Sequence, residues 1–184
     1  NLVIFPIIAG MLIVNGDFVR FFLGKDFQDA RYAIAIMIFR MFFIGWTNIM
    51  GIQILIPHDK NKEFMLSTTI PAIVSVGLNV LFLPHFGFIG AAIVSVLTES
   101  LVWLIQLYYT RYYLKEVPII GSMTKIMFAS AVMYGLLLLV KPFLHFTPTL
   151  NVLVYAVLGG IIYLIAILSL RVVDVKELKQ IFKK

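Results

Sequence analysis

Two ionisable residues lie where the chain is otherwise apolar. Arg40 sits within the run 31–56 and Glu99 within 88–113. A charge at the centre of a membrane helix costs at least about 2.5–3.5 kcal/mol, so each must face protein or water rather than lipid. At about 1.5 Å of rise per residue, Arg40 lies roughly 14 Å below Arg31 and Glu99 roughly 18 Å below Gly87. The two meet if their helices are neighbours. They then form either a buried ion pair that fixes helix packing or part of a site that contacts a substrate. At 100° per residue, Ala33, Arg40, Thr47 and Gly51 fall on one stripe of the second apolar run. Ser95, Glu99, Gln106 and Thr110 form a stripe on the fourth, and Thr68, Ala72, Ser75 and Asn79 on the third. Small-and-polar faces on consecutive helices suit the wall of a hydrated cavity, although Ser, Thr and Asn also serve as interhelical hydrogen bonders.

Other chemistry finds little support. The acidic residues Asp17, Asp26, Asp29, Asp59, Glu63, Glu99, Glu116, Asp174 and Glu177 include no intramembrane pair suited to metal binding or acid–base work. His58, His85 and His145 are scattered at the ends of apolar runs, which gives no zinc pattern. Cysteine is absent, so thiolate ligands and cysteine nucleophiles are excluded, and no glycine-rich phosphate loop is present. The expectation is a protein that is not an enzyme and carries no cofactor or metal.

The elements that must position these residues follow from composition. Hydrophobic residues make up 61% of the 184 and charged residues 13%, with a mean hydropathy of +1.01. A soluble domain runs near 45–50% apolar and about 25% charged. Six apolar stretches, about 2–20, 31–56, 64–84, 88–113, 123–145 and 150–170, are each long enough to cross a bilayer. Lipid offers no partner to an open backbone, so these stretches are expected to be helices. Pro84-His85-Phe86-Gly87 joins the third and fourth as an antiparallel hairpin, the proline ending one helix and the glycine permitting the reversal. Pro71 is expected to kink the third span. The last two spans, with Gly135, Gly159 and Gly160 for close packing and Tyr134, Tyr155 and Tyr163 needing local partners, read as lipid-facing scaffold.

Lys60, Lys62, Arg111, Lys115, Lys125, Arg171, Lys176, Lys179, Lys183 and Lys184 gather on one side, against Arg20, Lys25, Arg31 and Lys141 on the other. The positive-inside rule makes the richer side cytoplasmic, with the C-terminus inside and the Pro84–Gly87 turn outside. The net charge of +6 then needs no nucleic acid as partner. The tail 173–184 spaces Val175, Leu178, Ile181 and Phe182 among basic residues, as an amphipathic helix on an anionic leaflet would, or as a solvated tail. Asn1 opens directly into an apolar run, which reads as the interior of a longer chain.

The run from Pro84 through Gly90-Ala91-Ala92 to Glu99 resembles the helix-turn-helix of Wzx-type polysaccharide flippases. Gly51-Ile52-Gln53-Ile54-Leu55-Ile56-Pro57 with its short basic loop, and Leu23-Gly24-Lys25-Asp26-Phe27, resemble the segments before that hairpin. The motifs cover about residues 15–115; the last two spans are similar by hydropathy alone. The resemblance implies an all-α integral membrane fold of about six transmembrane helices, the C-terminal lobe of a two-lobe transporter like the multidrug and toxin extrusion proteins. It implies a division into 1–115, two additional helices in 116–172 and the basic tail 173–184. It further implies the flipping of undecaprenyl-pyrophosphate-linked sugar units across a bacterial inner membrane by alternating access. Arg40, Thr47, Asn79, Ser95 and Gln106 are the expected substrate contacts, and Arg40 is the candidate for the diphosphate. Glu99 is expected to orient Arg40 or couple to an ion, with Pro71, Gly87 and Gly90 as hinges. Expected partners are the lipid-linked oligosaccharide, membrane lipids, an N-terminal lobe, and the polysaccharide polymerase and chain-length regulator. The alternatives are a drug or cation antiporter, an integral-membrane enzyme and a noncatalytic subunit of polysaccharide assembly.

Overall fold

The computed structural model describes residues 2–115, 119–143 and 147–170. Asn1, Glu116, His145 and the tail 173–184 lie outside the described residues, so the expected amphipathic tail helix does too. The described residues are helical, without a strand. In order they form α1 (Ile4–Phe22), α2 (Ala30–Thr47) running into a π-helix (Asn48–Leu55), α3 (Asn61–Thr110), α4 (Ile119–Val140) and α5 (Pro148–Ser169). Five helices are long and apolar enough to cross a membrane. Many large apolar side chains point outward, among them Phe39, Ile73, Val80 and Leu139, each more than half exposed. A water-soluble protein rarely carries such a surface, whereas hydrocarbon accepts it without cost.

The count of five instead of six has a local cause. The third and fourth expected spans are arms of one helix, α3, which is interrupted at Gly87 by φ 54° and ψ −135°. Ser67 and Gln106 stand 39 residues apart, yet Gln106 Nε2 donates to Ser67 Oγ at 3.2 Å. A straight helix would separate them by roughly 58 Å. The chain therefore reverses at Gly87, as a hairpin, with arms 61–86 and 88–110. Pro84 does not end the first arm, because a proline costs a helix one hydrogen bond but keeps a helical φ. The reversal waits three residues for the glycine, whose backbone enters a region closed to most side chains. Pro71 is buried and leaves the helical dihedrals of its arm unbroken.

The chain divides into two compact units, 27–118 and 1–26 with 119–184. Hydropathy order alone groups α1 with the spans that follow it; by packing it belongs with α4 and α5. In that unit the end of α1 is marked by Gly24 at φ 89°, with Gly24 N–H bonded to Val19 O. Ala9, Ile13 and Val14 of α1 pack with Ala129, Met133 and Leu137 of α4 and Tyr155, Tyr163 and Ile167 of α5. Helix α1 runs antiparallel to α5, since Tyr163 Oη donates to Leu2 O near one end and Asn151 Nδ2 to Asp17 Oδ2 at 3.0 Å near the other. Lys141 Nζ, just beyond α4, reaches Ile13 O at 3.2 Å. Of the three glycines expected to allow close packing, Gly159 does so: a Cβ there would stand 3.2 Å from Leu137 Cδ1. Gly135 and Gly160 face open space.

In the other unit, α2 and its π-helix pack against α3. A Cβ on Gly51 would meet the Phe64 ring at 2.7 Å and Gln106 Nε2 at 3.0 Å, so the π segment lies close against both arms. At the hairpin, a Cβ on Gly90 would meet Phe82 O at 2.7 Å. Backbone cannot swing aside as a side-chain tip can, so Gly90→Ala should destabilise the protein by about 1–3 kcal/mol. Gly77→Ala, in open helical space, should be neutral or slightly stabilising. Thermal unfolding of the two variants in detergent checks the contrast.

Candidate functional site

Arg40 and Glu99 meet. Arg40 lies in the middle of α2, and its Nε donates to Glu99 Oε2 of the second α3 arm at 3.4 Å. Glu99 Oε1 accepts from Thr47 Oγ1 at 3.2 Å. Thr47 is two turns along α2 from Arg40, so both project on the same side of the helix. Its hydroxyl also lies 3.2 Å from its own Ile44 O. The single hydroxyl hydrogen is drawn to the carboxylate, the stronger acceptor. Glu99 is thus held through both oxygens.

The pair is asymmetric. The Glu99 side chain is 16% exposed, that of Arg40 is 40% exposed. The contact uses Nε, and no partner for the terminal guanidinium nitrogens is present among the described residues. Those nitrogens form the edge of the fork that grips phosphate and carboxylate groups. The seam is therefore not sealed on the arginine side. The arrangement can present a fixed, oriented cation to an anion, with Glu99 and Thr47 acting as its splint.

The other expected contacts are dispersed. Gln106 is 1% exposed and packed between the arms against Ser67, with its Oε1 buried and without a hydrogen-bond partner among the described residues. Ser95 bonds its own helix at Ala91 O, and Asn79 bonds Ser75 O. The stripe Thr68, Ala72, Ser75 and Asn79 is turned inward only at its far end, where Ser75 and Asn79 are half-buried. Thr68 and Ala72 are exposed, while the buried positions are Ser67 and Pro71, one residue earlier in each case. Gly87 forms the reversal and Gly90 the close approach beside it.

Sequence reasoning passed over Ser67, Trp103 and the Asp17–Asn151 bond. Ser67 loses out to Thr68 because neighbouring hydroxyls are ambiguous in phase by 100°. Trp103 shares the face of Glu99 at i+4, packs at a tilt against Phe43 with centroids 5.7 Å apart and buries an Nε1 that has no hydrogen-bond partner among the described residues. Asp17 could have been noticed as an acid within the last turns of an apolar run. Among the described residues no three His, Asp or Glu side chains gather as a metal site requires.

No protein-family model, curated protein or solved structure matches this chain.

The geometry makes Arg40, Glu99 and Thr47 energetically coupled. Removing Arg40 alone leaves a carboxylate with one neutral donor in an apolar span, whereas removing both charges leaves neither orphaned. In a double-mutant cycle with Arg40→Met and Glu99→Met, the coupling should reach about 1 kcal/mol, within the range of polar contacts inside membranes. Chemical or thermal unfolding in detergent measures it, and Thr47→Val should weaken the protein by a similar or smaller amount.

Proposed function

We propose that this chain is the C-terminal lobe of a membrane transporter and that its cargo is an undecaprenyl-pyrophosphate-linked oligosaccharide. The supporting observation is Arg40: a guanidinium near the middle of an apolar helix, oriented by Glu99 through Nε while its terminal nitrogens stay open. Five long apolar helices are consistent with a multi-pass membrane protein. The physical obstacle in flipping such a lipid is the passage of a pyrophosphate and polar sugars through hydrocarbon. A cation prepaid in a polar recess lowers that barrier, while the lipid tail remains in the bilayer. In this reading the recess is completed by an N-terminal lobe, and the two lobes open alternately to either leaflet of a bacterial inner membrane. The resemblance of Pro84 to Glu99 to the flippase hairpin supplies the cargo; the pair supplies the means of holding it. The C-terminus would be cytoplasmic, and the polysaccharide polymerase and chain-length regulator would act downstream.

A second reading is favoured by the way the pair ties α2 to the second arm of α3: Arg40 and Glu99 as a packing lock without cargo contact. A drug or cation antiporter has less support, because it needs a free acidic group and Glu99 is engaged through both oxygens.

Translocation of a fluorescent lipid-linked oligosaccharide in proteoliposomes by the protein with both lobes separates these readings. Arg40→Ala should slow flipping about tenfold, the loss expected for one charge-assisted phosphate contact. The charge-swapped Arg40→Glu, Glu99→Arg protein should stay slow if Arg40 grips the diphosphate. Recovery by the swap would establish the packing lock, and unchanged flipping in Arg40→Ala would end the transport role of this residue.

A further inference from the structure

Where the π-helix runs into the start of α3, the chain forms a polar recess separate from the Arg40–Glu99 pair. A cavity of about 260 Å³ is lined by Leu55, Lys60, Glu63, Tyr109, Tyr112 and Tyr113. It is smaller than the roughly 300–1,000 Å³ of clefts that take drug-sized ligands, which restricts it to a headgroup-sized occupant. Its wall is set in place. Tyr113 packs at a tilt against the His58 ring with centroids 4.2 Å apart, and His58 Nδ1 is 2.7 Å from Ile54 O. Leu55, fully buried, closes the floor.

The wall carries one charge of each sign. Lys60 Nζ is 3.2 Å from Glu63 Oε1, and the two side chains are 45% and 27% exposed. A pair so exposed is weakened by solvent screening, so a ligand displaces it at little cost. A purely anionic group would meet the Glu63 carboxylate, and a purely cationic one the Lys60 ammonium. A zwitterion with phosphate and ammonium a few bonds apart satisfies both. The phosphate takes Lys60 and tyrosine hydroxyls, and the ammonium takes Glu63 and the tyrosine faces. The carboxylate asks for N–H donors, which a primary ammonium has and a trimethylammonium lacks.

The surroundings indicate that this group comes attached to a lipid. The recess sits where both arms of α3 end, at Asn61 and at Thr110. Tyrosines concentrate at such boundaries because their rings sit at headgroup depth. Leu66, about one turn in from Glu63, is exposed and offers apolar surface to an acyl chain. We infer that the Lys60–Glu63–tyrosine recess binds the headgroup of a phospholipid bearing a primary ammonium, of the phosphatidylethanolamine type.

Native mass spectrometry of the detergent-purified full chain tests this, offering phosphatidylethanolamine, phosphatidylcholine and phosphatidylglycerol of identical acyl composition in equal amounts. The wild type should retain phosphatidylethanolamine about threefold to fivefold over the others, the ratio a partly exposed charge contact supports. Glu63→Gln should bring it down to the phosphatidylcholine level, and Lys60→Met should reduce retention of all three. Tyr109→Phe, which keeps the ring, provides a variant that folds should a charge variant misfold, and it should lower retention without abolishing the preference. Equal retention of the three lipids by the wild type would overturn the proposal. So would displacement of the lipid by equimolar soluble phosphoethanolamine, which would make the ligand a free solute.

Discussion

A charge inside hydrocarbon must find a partner, and the unit formed by 27–118 is arranged around that requirement. Arg40 and Glu99 sit on different helices, so satisfying either one means bringing α2 beside the second arm of α3. Thr47 adds a second link to the same carboxylate. Once α2 and this arm are aligned by these contacts, Gly51 comes to lie against Phe64 and Gln106, where only a glycine fits without displacement. Van der Waals packing at that contact then supplies what the lipid cannot, since apolar surface gains nothing by leaving an apolar solvent.

The other unit manages without any central charge. Its helices α1, α4 and α5 share a buried cluster of aliphatic side chains and two tyrosines, closed by polar ties at both ends. Asp17 is held by Asn151 and Lys141 by a backbone carbonyl, each near the end of a span, where polar groups cost least. The two units illustrate different solutions to one problem: polar ties placed at the rim, or a polar tie placed in the centre and partly open.

Hydropathy was sufficient to locate the long helices, because twenty apolar residues in a row leave the backbone no other choice. The meeting of Arg40 and Glu99 was also legible, from depth and from the rarity of such residues in apolar runs. Three features were not. Gly87 carries the reversal as its type suggests, but Pro84 does not end the first arm, and sequence does not say when a proline will be kept inside a helix. Ser67 and Thr68 are both hydroxyl-bearing, so the face that points inward depends on a phase that only packing decides. The grouping of α1 with α4 and α5 depends on contacts between residues more than a hundred positions apart, such as Asn151 with Asp17. No local pattern encodes such a contact.

The π-helix from Asn48 to Leu55 has its own implication for how this chain tolerates changes of length. Hydrogen bonds that span five residues instead of four accommodate one surplus residue per wide turn. Loss of a single residue within that stretch can tighten it to an ordinary helix, so the segment is a reserve of slack. The same loss between Arg40 and Thr47 would turn one of them away from Glu99 by about 100°. Deletions along this helix are thus unequal by position: absorbed at its wide end, and ruinous to the ion pair a few residues earlier.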